Sequence, residues 1–100
     1  MQAKKIKMIQ MNAKALTGRQ ISAARALLGM NQGALAELAS ISVPTLKRME
    51  ASTGAAQAMA NNVAAVRSAL EKAGVRFISE NGGGAGVRLQ RKTPGSLERE

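Results

Sequence analysis

Residues 25–51 have the sequence RALLGMNQGALAELASISVPTLKRMEA, and this stretch decides the fold. Gly29 ends a first helix. Asn31 then opens a second one, because its side chain can accept a hydrogen bond from a backbone N–H two or three residues later. Ser42 caps a third helix in the same way, with Pro44 in the first turn, where a missing N–H costs nothing. The stretch therefore predicts three helices separated by two tight turns.

The second and third predicted helices each have one apolar side. Leu46 and Met49 lie three residues apart in the third helix and face inward, whereas Lys47 and Arg48 point away from them. Two short helices in close succession, the second with exposed basic side chains, are what a protein needs to read the major groove of DNA. The apolar stripe of the second helix consists of Leu35, Ala36, Leu38 and Ala39.

Helices are also predicted on both sides of this stretch. The first helix begins at the cap Thr17 and runs to about Leu28. A linker over residues 52–60 leads to a fourth helix, which Asn61 or Asn62 caps and Gly74 ends. The buried stripes of these two helices are Ile21, Ala24 and Leu28 in the first, and Val63, Val66 and Leu70 in the fourth.

Beyond Gly74 the period changes to that of strands. Residues 75–79 and 87–91 are strand-like, and the glycine-rich residues 80–86 between them form a hairpin loop without a Walker or Rossmann phosphate-binding pattern. Because a lone hairpin is marginal in water, this one packs on the helices or pairs with a second copy of the chain. The predicted dimerisation residues are its apolar face: Val75, Phe77, Val87 and Leu89.

Four segments are therefore expected. A basic N-terminal leader covers residues 1–16, either an arm that follows the DNA backbone or a disordered tail. A helical domain covers residues 17–74, the β-hairpin covers residues 75–92, and a flexible tail covers residues 93–100.

Composition excludes several classes of function. The 100 residues suit one small domain and include no His, Cys, Asp, Tyr or Trp. Zinc sites and the usual acid–base or nucleophilic pairs need those residues, so neither an enzyme nor a metal or cofactor site is expected. No membrane span is expected, because no run of about 18 apolar residues occurs, and no signal peptide is expected, because residues 1–16 lack its apolar region and cleavage site. The absence of Cys fits a cytoplasmic protein.

The charge favours a polyanionic partner. Fifteen Lys and Arg residues and six acidic residues give a net charge of +9, and no acidic residue precedes Glu37. High charge can also serve solubility alone, but together with the helix pattern it favours nucleic acid. RNA is disfavoured because the aromatic platforms that stack unpaired bases are missing.

Residues 19–51 resemble the helix-turn-helix of the lambdoid phage repressor and Cro family, also called the XRE family. The shared features include Gln32 at the start of the second helix, Leu35-Ala36 within it, and Ser42 before the third helix. The resemblance implies that Arg25 in the first helix pairs with Glu50 at the end of the third. Arg25 is also a candidate phosphate contact.

The chain departs from this family at two places. Ser40 replaces the usual Gly in the turn after the second helix, where a left-handed residue costs about 1 kcal/mol. Val43 and Pro44 stand where many members have a polar side chain that reads bases.

The resemblance implies a mainly α, four- to five-helix repressor-like domain with a C-terminal β-hairpin. The expected function is sequence-specific binding of double-stranded DNA by a transcriptional regulator, a repressor that acts as a homodimer on an inverted-repeat operator. Asn31 and Gln32 would contact phosphates and dock the protein. The residues implied to face the bases are Ser42, Val43, Pro44, Thr45, Lys47 and Arg48. The alternative is an antitoxin or anti-activator that chiefly binds a protein partner and autoregulates through DNA.

Overall fold

The computed structural model describes residues 15–52, 56, 59–79 and 81–90. Within them the chain forms four helices followed by one antiparallel pair of strands, so the predicted fold class is confirmed. Residues 1–14 of the predicted leader and the whole predicted tail lie outside the described residues. The elements are α1 (Gly18–Leu28), α2 (Gln32–Ala39), α3 (Val43–Ala51), α4 (Ala60–Ala73), β1 (Val75–Ile78) and β2 (Gly86–Leu89).

Side-chain caps begin the first three helices at the predicted positions. The Asn31 side chain accepts from the Ala34 N–H at 2.8 Å, and the Ser42 hydroxyl accepts from the Thr45 N–H at 3.2 Å. Thr17 caps α1 and accepts from the N–H of Gln20. Each cap supplies an acceptor for a backbone N–H that has no partner within the helix.

The predicted start of the fourth helix was wrong. Neither Asn61 nor Asn62 is the cap, because α4 already begins at Ala60, before both of them. Met59 is the capping residue and makes no side-chain capping hydrogen bond; its carbonyl oxygen accepts from Asn62 and Val63 instead. Since Ala favours helix, the two Asn residues lie inside the first turn.

The predicted helix end at Gly29 and the predicted turn at Ser40 are confirmed, and both residues lie in the left-handed region. Gly29 ends α1 with φ at 67°, and Ser40 ends α2 with φ at 58°. Ser40 is the one described non-glycine residue with positive φ, and glycine would relieve its strain.

The core lies between the helices and the inner face of the hairpin. Leu38, predicted within the α2 stripe, is not part of it: its side chain is 59% exposed, because α2 directs Leu35, Ala36 and Ala39 inward instead. Leu28 and Val63 pack at the edge of the core and are only partly buried. The largest fully buried side chains are Ile21, Leu35, Leu46, Met49, Val66, Leu70 and Val75.

The hairpin packs against the helices through one face. β1 and β2 pair in antiparallel register, with Val75 opposite Leu89 and Phe77 opposite Val87. Val75 and Phe77 are buried, Val87 is half-buried and Leu89 is 50% exposed. The predicted apolar face therefore covers the chain's own core everywhere except at Leu89.

A buried glutamine ties α1 to the hairpin. The Gln20 side chain donates from Nε2 to the carbonyl oxygens of Ile78 at 3.2 Å and Gly86 at 2.8 Å. Its Oε1 accepts from the Thr17 N–H at 3.0 Å, which completes a capping box. One neutral side chain thus joins the start of α1 to both strands.

Candidate nucleic-acid interface

The start of α1 lies directly against the end of α3. A Cβ added to Gly18 would collide with the carbonyl oxygens of Met49, Ser52 and Glu50. Only glycine permits this approach of two backbones. The contact places the carboxyl-terminal turn of α3 at a fixed position on the body of the domain.

The Glu50 network, which consists of Ser22, Arg25, Gln32 and Glu50, joins the first three helices. Arg25 donates to both carboxylate oxygens of Glu50, from Nε at 2.7 Å and from Nη2 at 2.9 Å. Glu50 Oε1 also accepts from Gln32 Nε2 at 3.0 Å and from the Ser22 hydroxyl at 3.1 Å. Arg25 Nη1 in turn donates to the Met30 carbonyl in the turn between α1 and α2, at 3.0 Å. The ion pair that the resemblance implied is therefore present, and it is bidentate.

The network has clear electrostatic consequences. The Glu50 side chain is 7% exposed and that of Arg25 is 21% exposed. Burial by itself raises the pKa of Glu50, but the hydrogen bonds from Arg25, Gln32 and Ser22, with the charge of Arg25, outweigh it and hold that pKa below its ordinary value. The hydrogen bond to Glu50 raises the pKa of Arg25. Both groups stay ionised at neutral pH.

The outward side of α3 carries the exposed cations. Lys47 and Arg48 are exposed, and neither is in an ion pair with any described residue. Leu46 and Met49, which flank them in sequence, are fully buried, so the helix cannot rotate without losing its core contacts. The cations therefore project from a helix whose orientation is set from beneath.

The first turn of α3 divides between surface and core. Ser42 and Pro44 are exposed, and the Ser42 hydroxyl donates to Thr45 Oγ1 at 2.9 Å. Thr45 is half-buried, and so is Val43, which packs against the core. Of the two apolar residues predicted to face bases, only Pro44 is fully available.

The predicted phosphate contacts differ in how free they are. Asn31 is exposed, although its side-chain oxygen is used as the α2 cap. Gln32 is half-buried and held by Glu50. Arg25 has its donors to Glu50 and Met30 occupied, which leaves it little freedom to reach a phosphate.

Sequence reasoning missed Ser22 and Gln20. Ser22 reaches Glu50 across 28 positions in sequence, and Gln20 reaches the hairpin across 58 and 66 positions. For Gln20 a signal existed: three positions after Thr17 it completes the capping-box pattern. Nothing local indicated that its amide nitrogen would hold the hairpin.

The described residues contain no group of three or more side chains suited to hold a metal ion. Nor is any of the described helices long and apolar enough to cross a membrane. The chain matches no protein-family model and no curated protein sequence at a significant level.

Proposed function

We propose that this protein is a sequence-specific double-stranded DNA-binding transcriptional regulator, a cytoplasmic repressor that acts as a homodimer on an inverted-repeat operator. One observation carries the proposal. Lys47 and Arg48 project, unpaired among the described residues, from α3, which Glu50 and the buried Leu46 and Met49 fix against α1 and α2.

In this proposal α3 lies in the major groove. Lys47 and Arg48 reach guanine O6 and N7, and Pro44 offers an apolar contact to a thymine methyl group. The amino-terminal end of α2, with exposed Asn31, lies near the phosphate backbone, where backbone N–H groups favour an anion. Gln32 both docks there and keeps α2 in register with α3 through Glu50.

The hairpin supports a homodimer through its backbone. The Gln90 N–H donates to the Gly74 carbonyl at 2.7 Å, which makes this a hydrogen-bonded pair of the antiparallel ladder. Because such pairs alternate, the backbone groups of Val87 and Leu89 point away from β1. They have no hydrogen-bond partner in the described part of the chain, and exposed Leu89 flanks them. Pairing this edge with its copy would satisfy those groups, and a dimer that reads an inverted repeat needs its two α3 helices about 34 Å apart on DNA.

Titration of duplex DNA tests the proposal. Affinity should fall by roughly 10³-fold or more between 50 and 200 mM salt, because several phosphates are neutralised. Lys47→Ala and Arg48→Ala should each cost about 1–3 kcal/mol at one base position per half-site. Lys72→Ala removes the same charge from an exposed site on α4 and should leave base preference unchanged. Equal effects of all three substitutions would refute reading by α3.

The dimer is tested separately. Leu89→Pro removes the N–H that points outward from β2, while Leu89→Ala removes the side chain and keeps that N–H. The proline variant should sediment as a monomer and bind half-sites weakly, whereas the alanine variant should remain dimeric. A dimeric proline variant with full operator affinity would exclude the β2 edge as the interface.

A second candidate function is binding of a protein partner, as in an antitoxin or anti-activator. The observation that favours it is exposed Leu38, which with Ala65 and Ala69 lines an open groove of about 280 Å³ between α2 and α4. Leu38→Glu should then abolish a stoichiometric complex that purifies with the chain while leaving duplex affinity unchanged. A chain that purifies without any partner removes this candidate.

A further inference from the structure

Two arginines lie directly opposite each other on the hairpin. Arg76 of β1 and Arg88 of β2 are register partners, and both are exposed. They alternate with Val75, Phe77 and Val87, whose side chains pack toward the core. Arg76 and Arg88 therefore define the outer face of the hairpin.

The placement of this pair is unfavourable in the protein alone. Counting from the Gly74–Gln90 hydrogen bond, Arg76 and Arg88 also form a hydrogen-bonded pair, with Cα atoms about 5.5 Å apart. Like charges directly opposite on a sheet are destabilising. Neither arginine has an acidic partner among the described residues. An anionic ligand would remove the repulsion.

The hairpin is also fixed relative to α3. Gln20 in α1 holds the carbonyl oxygens of Ile78 and Gly86, at the loop end of the hairpin. Gly18, two residues earlier in the same helical turn, lies against the carboxyl-terminal turn of α3. The first turn of α1 thus links the hairpin to the end of the helix that is proposed to read bases.

We infer that the outer face of the hairpin, Arg76 and Arg88, binds the phosphodiester backbone of the duplex that α3 occupies. This inference rests on the proposed function and adds a second contact surface to it. The contact is electrostatic and carries no sequence information, because phosphates are the same at every step. The occupant is an extended phosphate chain, since two arginines at one register position offer a pair of guanidinium forks that suit phosphate oxygens.

The test compares Arg76→Gln, Arg88→Gln and the double variant with Lys72→Gln, which removes a charge from α4. Duplex binding is measured from 50 to 200 mM salt, and thermal unfolding is measured without DNA. Each phosphate contact contributes about 0.9 to the logarithmic salt slope. In a homodimer each single variant loses two contacts, which should make the decline in affinity over this range about ten-fold smaller, and the double variant loses four, which should make it roughly 150-fold smaller. The selected base sequence should be unchanged. Lys72→Gln should leave the slope unaltered.

Thermal stability without DNA is a second readout, and it should change in the opposite direction to DNA affinity. Removing either arginine relieves the repulsion, so the single variants should unfold at the same or a higher temperature while binding DNA more weakly. Lower thermal stability, or a salt slope equal to that of the unaltered chain, overturns the inference while leaving reading by α3 intact. If the unaltered chain binds no duplex, both this inference and the proposed function fail.

Discussion

The Glu50 network and the Gln20 contacts hold two regions of this molecule together by different chemistry. Glu50 joins α1, α2 and α3 through a charged, bidentate pair that is nearly buried, whereas Gln20 joins α1 to the hairpin through a neutral amide. Removing Arg25 or Glu50 leaves the other charge without a partner in a nearly buried site. Removing the Gln20 amide leaves only the carbonyl oxygens of Ile78 and Gly86, which can still accept hydrogen bonds from the paired strand. The helical unit should therefore fail as a whole when the Glu50 network is broken, whereas loss of the Gln20 contacts should loosen the hairpin, which still packs on the core through Val75 and Phe77.

The largest effect is expected at the charged junction. Glu50→Ala should lower the free energy of unfolding by about 2–4 kcal/mol, because Arg25 loses its partner in a mostly buried site. Glu71→Ala is the matched control: it breaks the more exposed pair with Arg67 and should cost about 0–1 kcal/mol. Urea unfolding of the two single variants at Arg25 and Glu50 and of the double variant measures the coupling. A coupling near zero would show that Arg25 and Glu50 do not stabilise the fold as a pair.

Backbone approach gives the next largest effect. Gly18→Ala should destabilise the chain by about 1–3 kcal/mol, since its Cβ would meet carbonyl oxygens at the end of α3 and the helices must separate. Gly33→Ala, within α2, meets only the Asn31 side chain at 3.4 Å and should be neutral or stabilising. Similar effects of the two substitutions on the midpoint of thermal unfolding would contradict the close approach of α1 and α3.

A change at Gln20 should affect the hairpin more than the helices. Gln20→Glu keeps the oxygen that accepts from Thr17 but turns a second oxygen toward the carbonyl groups of Ile78 and Gly86. The cost should be about 1–3 kcal/mol. Hydrogen exchange should show faster exchange of the Gln90 amide, with α1 to α3 little changed. Uniform loss of protection throughout the chain would show that hairpin and helices unfold together.

The smallest expected effect is a dependence of stability on pH that arises from Glu50 and not from Gln20, which does not ionise. The folded chain holds the pKa of Glu50 below its ordinary value of 4.5, so the unfolded chain binds the proton more readily. The stabilising contribution is therefore complete above that ordinary value and is lost as pH falls through the lowered one. Glu50→Gln should unfold with a flatter dependence on pH below about 4.5. Parallel curves for Glu50→Gln and the unaltered chain would exclude this contribution.

Local chemistry explains what could be predicted from the sequence. Local contacts account for the predicted caps. The side chains of Thr17, Asn31 and Ser42 each accept a hydrogen bond from the N–H three residues later, so residue type and spacing were enough to predict them. The pair of Arg25 with Glu50 needed the family resemblance, because 25 positions separate its members. The prediction of Asn61 or Asn62 as a cap was wrong because the helix extends to Ala60, and no local pattern distinguishes a cap at Met59 from one at either Asn.

Long-range placement explains what could not be predicted. A period of three and four placed Leu38 in the α2 stripe, but the direction from which α4 approaches left that side chain 59% exposed. Val43 has the spacing of a groove-facing residue but is half-buried, because one side of it packs against the core. The burial of such side chains depends on how neighbouring helices pack, and the periodicity within one helix does not determine that packing.

We propose that the outward side of α3 reads duplex DNA. Selection from a pool of random duplexes, with the unaltered chain and with a variant that combines Lys47→Ala and Arg48→Ala, tests it most directly. The unaltered chain should enrich an inverted repeat with half-site centres about one helical turn apart, and the variant should lose base preference at the positions those two side chains contact. Enrichment of no motif by the unaltered chain, or of the same motif by both proteins, would contradict the claim.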